Sequence, residues 1–361
     1  LSTEGLEEFL AVFALELGNS TNAETLKKLF QEAYLKHANL ADATRYLANA
    51  LFGHYGLVIL DADDANLKRQ FIPFIKEELL KQTAFSKVNE TIEQFGNYTV
   101  QVNPREINLF FIEDNLRERI IFEDGGYKIN NTKRHFSEQE LLAELELHPE
   151  KFSPNVVMRP LYQEVILPNL AYIGGGGEIA YWLELKSFFE TVKVTFPMLI
   201  VRNSVVLATE KQLKKADALA LNWSDLFQKQ TLLINNKTKQ LSEFDIDLSD
   251  LKQQLQQQFQ ALNELTYKTD RSFAGAVKAQ EVKQTKGLEQ LEKRLLKAQK
   301  RKLADSLSRI TALQNELFPN QSLQERQANF SEFYLENGEQ LLPKLVNEIK
   351  PLSTNFTIIT F

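Results

Sequence analysis

The sequence has 361 residues, 43% of them hydrophobic and 25% charged, which is ordinary usage for a globular protein of two or three domains. Its net charge of −6 excludes a chain that is basic over its whole surface, and the absence of cysteine excludes disulfides, thiolate metal sites and a cysteine nucleophile within this sequence. Four scattered histidines do not predict a metal site. With no run of 18 apolar residues and no secretory signal, a cytoplasmic protein is expected.

The first 52 residues predict helices. In TNAETLKKLFQEAYLKH, apolar residues recur at helical spacing from Leu26 to Ala33. Thr21 or Asn22 is expected to cap this helix at its N-terminus.

A continuous apolar run, Leu57–Leu60, is followed by three carboxylates. The run predicts a buried parallel strand. Asp61, Asp63 and Asp64 follow where this strand ends and a helix begins, the edge at which open parallel sheets bind ligands. They are candidates to bind an amine, a ribose or Mg²⁺. The alternative, favoured for any single one of them, is that Asp63 or Asp64 caps the next helix.

Residues 98–130 predict strands, and the alternation of strands and helices predicts an α/β fold. Asp-Gly-Gly at 124–126 predicts a hairpin. Ser137 is expected to cap the helix SEQELLAELEL, with Glu140 completing a capping box. Further on, FPMLIVRNSVVLA predicts two short strands around a tight turn at 202–204.

The most informative segment is NLAYIGGGGEIAYWLELKSFFE, residues 169–190. An apolar run ends at Ile173, the glycines Gly174–Gly177 follow, and an amphipathic helix begins at Glu178. Glycines let an anion approach backbone N–H groups, and a helix start adds unpaired donors and partial positive charge. The segment therefore predicts a phosphate or carboxylate site or, with equal weight, a loop that allows close strand–helix packing. Glu178 would stabilise the helix start but repel an anion placed too close.

From about Leu248 to Leu317, leucines at a spacing of three and four predict an antiparallel coiled-coil hairpin that breaks near Asp270. Its stretch 283–302 carries eight basic residues against two glutamates. A solvated helix face is the favoured interpretation, and a docking surface for phosphate or RNA is the alternative. The basic residues are Lys283, Lys286, Lys293, Arg294, Lys297, Lys300, Arg301 and Lys302.

Three segments together resemble the bacillithiol biosynthesis enzymes of the BshC family: RPLYQEVILPNLAYIGGGGEIAYWLELK, the basic coiled-coil arm, and LFPNQSLQERQANFSEFYLENG. The resemblance implies a Rossmann-like core related to class I aminoacyl-tRNA synthetases, with inserted connecting segments and a coiled coil that makes a homodimer. It also implies a cysteine ligase of the last step of bacillithiol synthesis, which joins L-cysteine to the amino group of glucosaminyl-malate. Activation of cysteine by ATP is the expected route, and Mg²⁺ is a further candidate cofactor.

Family members usually begin with a further Rossmann segment that carries a T-G-Q-Q-like motif. Since the sequence lacks this motif, the resemblance implies that it corresponds to the C-terminal two thirds of the enzyme, without part of the nucleotide pocket. The predicted domains are a Rossmann-like core over 1–247, the coiled-coil hairpin over 248–317, and a segment over 318–361 that packs back on the core.

Amide formation needs an activated carboxyl group, a neutral amine and stabilisation of developing negative charge. Arg159 is predicted to clamp the malate carboxylates or a phosphate, since guanidinium binds both in bidentate fashion. An ion pair with Glu164 or another carboxylate is the equal alternative, and no general base is predicted. The predicted substrate-binding residues are Arg159, Gln163, Asn169, Tyr172, Gly174, Gly175, Gly176, Gly177, Glu178 and Tyr181, and Asp61, Asp63 and Asp64 are the predicted nucleotide- or amine-binding residues.

Two other classes of protein remain open at this point. The coiled coil with an incomplete core would suit a non-catalytic dimeric interaction module. The basic arm with a synthetase-like core would suit an RNA-binding protein, although nucleic acid is not the expected partner of so acidic a chain.

Overall fold

The computed structural model describes residues 5–269 and 271–361, which form two compact units. Unit 1 comprises the residues up to Asn203 together with Tyr334–Asn355, and unit 2 comprises Ser204–Phe333 together with Phe356–Phe361. The predicted α/β character with a helical arm is confirmed. This division differs from the predicted domain boundaries, since it falls between two strands at Asn203 and the chain after the arm contributes to both units.

Unit 1 begins with three helices that pack one on the next, α1 (Leu6–Leu17), α2 (Thr21–Leu35) and α3 (Leu40–Phe52). The helix predicted around Leu26 is confirmed as α2. Its N-cap is Ser20, whose hydroxyl accepts a hydrogen bond from the Ala23 N–H at 3.1 Å, rather than Thr21 or Asn22.

The buried strand predicted at Leu57–Leu60 is wrong. These residues form no strand in the described chain, and the side chains of Leu57, Val58 and Leu60 are 48%, 67% and 39% exposed. An apolar run has the composition of a buried strand, but a strand also needs a hydrogen-bonded neighbour, and no described residue pairs with this run. The helix that follows is α4 (Ala65–Lys81), and α5 (Thr83–Glu93) comes next.

An antiparallel sheet occupies the middle of unit 1, in the order β4-β3-β2-β1-β5. The predicted hairpin is confirmed, because Asp124 and Gly125 adopt φ of 53° and 79° between β2 and β3, as a two-residue primed turn requires. The strands are β1 (Leu109–Glu113), β2 (Leu116–Glu123), β3 (Gly126–Ile129), β4 (His135–Phe136) and β5 (Phe152–Pro154).

Helix α6 (Glu138–Leu147) lies between β4 and β5 and begins with the predicted capping box. The Ser137 hydroxyl accepts a hydrogen bond from the Glu140 N–H, and the Glu140 carboxylate accepts one from the Ser137 N–H at 2.8 Å. Both residues of the box are therefore confirmed.

The remaining elements of unit 1 up to Asn203 surround the glycines. They are α7 (Arg159–Ile166), β6 (Ala171–Gly174), α8 (Gly176–Leu183), α9 (Lys186–Thr191) and β7 (Met198–Val201). Strands β6 and β7 pair in parallel. Trp182, Phe188 and Phe189 are fully buried beneath them, so that the position of α8 is set by the hydrophobic core.

Unit 2 begins with β8 (Val205–Ala208), which pairs in parallel with β9 (Thr357–Thr360). Two strands around 202–204 are thus confirmed, but the predicted tight turn between them is wrong, because β7 and β8 belong to different sheets. The helices between β8 and β9 are α10 (Glu210–Ala218), α11 (Trp223–Leu226), α12 (Gln230–Leu241), α13 (Ser249–Thr266), α14 (Arg271–Lys302), α15 (Ala304–Leu317), α16 (Phe330–Asn337) and α17 (Leu341–Glu348). Of these, α17 and the part of α16 from Tyr334 onwards belong to unit 1.

The coiled-coil hairpin consists of α13 and α14. Lys252 on α13 pairs with Glu292 on α14 at 2.7 Å, and Phe259 and Val277 are buried. Helix α15 packs instead on α10 and α12, where its apolar face joins the core of unit 2. The predicted break at Asp270 lies outside the described residues. Among the helices described, none combines the length and apolar character that crossing a bilayer requires.

Candidate functional site

The glycine turn joins the end of β6 to the start of α8. A Cβ atom on Gly174 would lie 2.7 Å from Cε1 of Tyr172, so close packing requires glycine there. A Cβ atom on Gly176 or Gly177 would meet no atom within 4 Å, and neither residue has a positive φ. Because glycine disfavours a helix by up to about 1 kcal/mol relative to alanine, the fold alone does not explain these two glycines. They leave the backbone open to a ligand.

Glu178 already uses one of the backbone donors at this turn. Its carboxylate accepts hydrogen bonds from the Gly175 N–H at 3.0 Å and from the Tyr172 hydroxyl at 3.3 Å. The pKa of Glu178 is lowered, first by the bond from Gly175 and further by Tyr172 and by the charges of Arg159 and Arg202. In the described chain, the N–H groups of Gly176 and Gly177 have no hydrogen-bond acceptor, as is usual in the first turn of a helix.

Arg159 lies half-buried at the start of α7, beside the turn. Its guanidinium donates to the Tyr181 hydroxyl and, at 3.5 Å, to Oε1 of Gln163. Burial lowers the pKa of Arg159, but the neighbouring oxygens of Tyr181 and Tyr172 outweigh that effect and raise it, so the side chain stays a cation. Within residues 5–269 and 271–361, no carboxylate lies within ion-pair distance of this guanidinium.

The alternative partner predicted for Arg159 is wrong. Glu164 is buried, and its two carboxylate oxygens accept hydrogen bonds from the backbone N–H and the side-chain amide of Asn169, both at 3.0 Å. Asn169 and Glu164 therefore satisfy each other, and among the described residues no carboxylate lies within 4.0 Å of the guanidinium.

Tyr172 is held in place by the core. Its ring stacks on the buried indole of Trp182, with the ring centroids 4.2 Å apart. Its hydroxyl lies between Glu178 and Arg159. The structure thus brings together the glycine turn and five of the predicted side chains, Arg159, Gln163, Tyr172, Glu178 and Tyr181, whereas Asn169 lies against Glu164.

The aspartates after Leu60 have partners within the chain. Asp64 caps α4, since its Oδ1 accepts hydrogen bonds from the N–H groups of Asn66 at 2.8 Å and Leu67 at 3.1 Å. This confirms the capping alternative for Asp64. The Asp61 carboxylate accepts a hydrogen bond from the Asp63 N–H at 3.0 Å.

Two residues that contact this loop from α4 and α7 were not predicted from the sequence. Lys68 is only 3% exposed, and its Nζ lies 2.8 Å from the Asp63 carboxylate and 2.8 Å from the Glu150 carbonyl oxygen. Tyr162 on α7 donates its hydroxyl to the Ala62 carbonyl at 2.8 Å and so ties the loop to the helix that carries Arg159. Lys68 follows Asp64 by one helical turn, which is the only sequence signal for it.

Burial, together with the negative charges of Asp63, Asp64 and Asp61, raises the pKa of Tyr162 to about 12. The three carboxylates nevertheless do not form a metal site on their own. Among the described residues, no group of three or more histidine or acidic side chains is arranged to hold a metal ion.

Comparison with known proteins places the chain in a family. The family model for the N-terminal Rossmann-like domain of bacillithiol biosynthesis BshC matches residues 1–203, and the model for the C-terminal coiled-coil domain of BshC matches residues 205–361. The chain belongs to the BshC family. The Rossmann-like character predicted for the N-terminal part is thereby confirmed. The boundary between the two BshC domains coincides with the change from unit 1 to unit 2 after Asn203, whereas Tyr334–Asn355 belong to unit 1 but lie within the match to the coiled-coil domain.

The sequence similarity to individual BshC proteins extends over essentially the whole chain. A Flavobacterium johnsoniae protein named "Putative cysteine ligase BshC" is 71% identical over 360 residues, which are 100% of this chain and 68% of that protein. Proteins of the same name from Flavobacterium psychrophilum and Christiangramia forsetii are 62% and 57% identical, over 99% and 100% of this chain and 68% of each relative.

Proposed function

We propose that this chain is a ligase of the last step of bacillithiol biosynthesis, which joins L-cysteine to the amino group of glucosaminyl-malate after activation of cysteine by ATP. The BshC family and the names of its members support a cysteine ligase. The observation that carries the proposal is Arg159, a half-buried guanidinium beside an open glycine turn, with no carboxylate partner among the described residues.

Arg159 would bind the malate carboxylates or a phosphate, since a cation removed from bulk water attracts an anion more strongly than an exposed one. Gln163 accepts from Nη1 and Tyr181 from Nη2, which leaves further N–H groups of the guanidinium for a ligand. The N–H groups of Gly176 and Gly177 would supply further donors.

Glu178 and Tyr172 would set where the anion binds. The carboxylate of Glu178 covers the Gly175 N–H and repels negative charge from it, so that an anion is directed towards the next two N–H groups and Arg159. The Tyr172 hydroxyl is the candidate to contact a sugar hydroxyl, together with Gln163.

The other partners of the reaction are part of the same proposal. ATP would supply the activation, and Asp61, Asp63 and Asp64 stay candidates for binding a nucleotide or an amine. Mg²⁺ has no ligand set among the described residues, so we derive no step through it. We also propose a cytoplasmic homodimer that forms through the α13–α14 hairpin.

A mass-spectrometric assay with cysteine, glucosaminyl-malate and ATP tests the ligase proposal. The assay would use this chain and a form extended by the part of the Flavobacterium johnsoniae relative that lies outside the match. We expect ATP-dependent product from at least the extended form, and loss of product in its Arg159→Met variant. An Arg119→Met variant, changed on an exposed strand position, is the matched control. No product from either form would contradict the proposal.

A further inference from the structure

Helix α14 carries a row of positive charge along one face. At 3.6 residues per turn, seven of its basic residues fall within an arc of about 120° around the helix axis. The sequence places no carboxylate of α14 within that arc, since Glu281, Glu289 and Glu292 project from the rest of the circumference. We call this row the α14 stripe; its members are Lys283, Lys286, Lys293, Arg294, Lys297, Lys300 and Arg301.

The α14 stripe lies on the side of the helix opposite α13. The groove between the two helices is lined on α14 by Gln284, Gly287, Leu288 and Leu291. All four fall outside the arc of the stripe, and Gln284, Leu288 and Leu291 lie in the opposite half of the circumference. Six members of the stripe are exposed and Lys300 is half-buried. In the part of the chain that the structure describes, none of the seven has a carboxylate within 4.0 Å, whereas Lys302, outside the arc, pairs with Glu243 at 3.0 Å.

Like-charged pairs within the stripe lower the stability of the helix. Lys293 and Lys297, Lys297 and Arg301, and Arg294 and Lys297 are like-charged neighbours at a spacing of three or four. Each such pair destabilises a helix by about 0.2–0.5 kcal/mol. A coiled-coil flank that serves only solubility usually mixes both signs of charge, which avoids this cost. A ligand of opposite charge would offset it.

Charge is also distributed unevenly between the units. Unit 2 contains 20 Lys and Arg against 16 Asp and Glu, a net charge of +4, so that the whole chain's −6 leaves −10 on unit 1. The net negative charge that argues against a nucleic-acid partner therefore lies on unit 1 alone. The α13–α14 hairpin of unit 2 instead produces a positive electrostatic potential along the α14 stripe.

We propose that the α14 stripe binds the phosphate backbone of a nucleic-acid duplex. The stripe is straight and about 27 Å long from Lys283 to Arg301, at 1.5 Å per residue. Because the strands of a duplex wind around its axis, a straight row of cations does not follow one strand, but over this distance it can meet phosphates of both strands, which together carry one charge per about 1.7 Å of axis. Recognition through phosphates alone would be independent of base sequence.

The residues between the cations favour a duplex over other polyanions. The only other residue of the arc between Lys283 and Arg301 is Gln290, so no aromatic ring is available to stack on the bases of a single strand. No large apolar side chain lies in the arc to insert into a bilayer. This proposal shares no residue with the candidate anion site at the glycine turn, but it uses the same hairpin as the proposed homodimer, on the face of α14 that points away from α13.

Fluorescence anisotropy with a labelled 24-base-pair RNA duplex, and with a DNA duplex of the same sequence, tests the proposal on the full chain between 50 and 300 mM KCl. We expect log K to fall with log [KCl] with a slope of about −4 to −6, since each phosphate contact contributes about 0.9. Binding of either duplex with this slope supports the proposal. Comparison of the RNA and DNA titrations identifies which nucleic acid is preferred.

A triple variant, Lys293→Gln, Lys297→Gln and Arg301→Gln, should weaken binding at least tenfold at 100 mM KCl and reduce the slope by about 2.7. The matched control is Lys211→Gln, Lys214→Gln and Lys229→Gln, which removes three exposed charges elsewhere in unit 2 and should change binding less than twofold. Circular dichroism at 222 nm verifies that both variants stay helical.

Three results would overturn the proposal. They are no duplex binding at 50 mM KCl, an equal loss in both triple variants, and stripe-dependent binding to phosphatidylserine vesicles without duplex binding. The last result would identify an anionic membrane surface as the ligand instead.

Discussion

The glycine turn and the Asp61–Asp64 loop have similar sequence surroundings, but their polar side chains differ in whether they find partners within the chain. Each follows an apolar run and precedes a helix. In the loop, Asp64 caps α4 and Asp63 pairs with Lys68. At the turn, Arg159 has no carboxylate partner among the described residues.

A candidate ligand site is therefore recognised by the charges and donors that the fold leaves without a partner rather than by residue type. Buried or half-buried polar groups are normally satisfied within the chain. The loop follows that rule. At the turn, Arg159 is hydrogen-bonded to Tyr181 and Gln163 but has no carboxylate partner among the described residues, and the N–H groups of the exposed Gly176 and Gly177 are open to a ligand. We therefore expect substitutions in the loop to change mainly stability, and substitutions at the turn to change mainly ligand binding.

The largest effect is expected from Arg159→Met, which removes the charge and keeps most of the apolar volume. Loss of charge-assisted hydrogen bonds to an anion should reduce kcat/KM for glucosaminyl-malate about 100-fold. Steady-state kinetics on the active form measures it. Arg159→Lys should recover part of the loss, and a variant that keeps full activity would remove Arg159 from the site.

The next effect concerns Tyr162 and alkaline pH. An unfolded tyrosine ionises near pH 10, while burial and the Asp63, Asp64 and Asp61 charges raise the Tyr162 pKa to about 12 in the folded chain. The unfolded state then loses its proton first, so the stability associated with Tyr162 is present below pH 10 and is lost as pH rises towards 12. The free energy of unfolding should fall by about 1.4 kcal/mol per pH unit more in the wild type than in Tyr162→Phe.

Denaturant unfolding of both proteins at pH 9, 10 and 11 measures this difference. Every other titrating group is common to the two proteins and cancels in the comparison. Parallel pH profiles would show that Tyr162 is not protected by the loop, and the proposed link between the loop and α7 would fail.

A smaller effect is expected from Asp64→Ala. Loss of the N-cap should lower the free energy of unfolding by about 1 kcal/mol, without changing affinity for an anion at the turn. Thermal unfolding and isothermal titration measure the two properties separately. Asp61→Ala is the control, because its carboxylate accepts only the Asp63 N–H. A large loss of affinity in Asp64→Ala would place this loop in the site.

The smallest stability change is expected from Gly177→Ala. The added Cβ meets open space in the first turn of α8, so the free energy of unfolding should rise by at most about 1 kcal/mol, while a ligand that touches this backbone should bind several-fold more weakly. Gly174→Ala is the contrasting variant, because its Cβ would collide with Tyr172 and should destabilise the fold. Unchanged binding in Gly177→Ala would mean that no ligand approaches there.

Local chemistry explains which features could be predicted from the sequence. The capping box at Ser137 and the hairpin at Asp124 depend on residues a few positions apart, and both are confirmed. The run Leu57–Leu60 failed as a strand because pairing depends on a neighbour that composition does not reveal. The turn at 202–204 failed because β7 and β8 each pair with a distant strand.

The same reasoning applies to the candidate site. The glycine turn and Arg159 stand out in the sequence because glycine runs and cations before a helix have recognised chemistry. The partner of Glu164 could not be predicted, since it depends on the amide of Asn169 lying within reach. The hydrogen bond of Tyr162 could not be predicted from the sequence either, because its acceptor is a backbone carbonyl 100 residues away.

The pairing of β8 with β9 has a consequence for synthesis of the chain. Val205 leaves the ribosome about 150 residues before its partner Thr357, which at 5–20 residues per second is a delay of about 7–30 s. During that interval both edges of β8 lack a strand partner within its two-stranded sheet. Unit 2 is therefore completed only after nearly all of the chain has been translated, and its nascent form is a candidate client for chaperones that cover exposed strand edges.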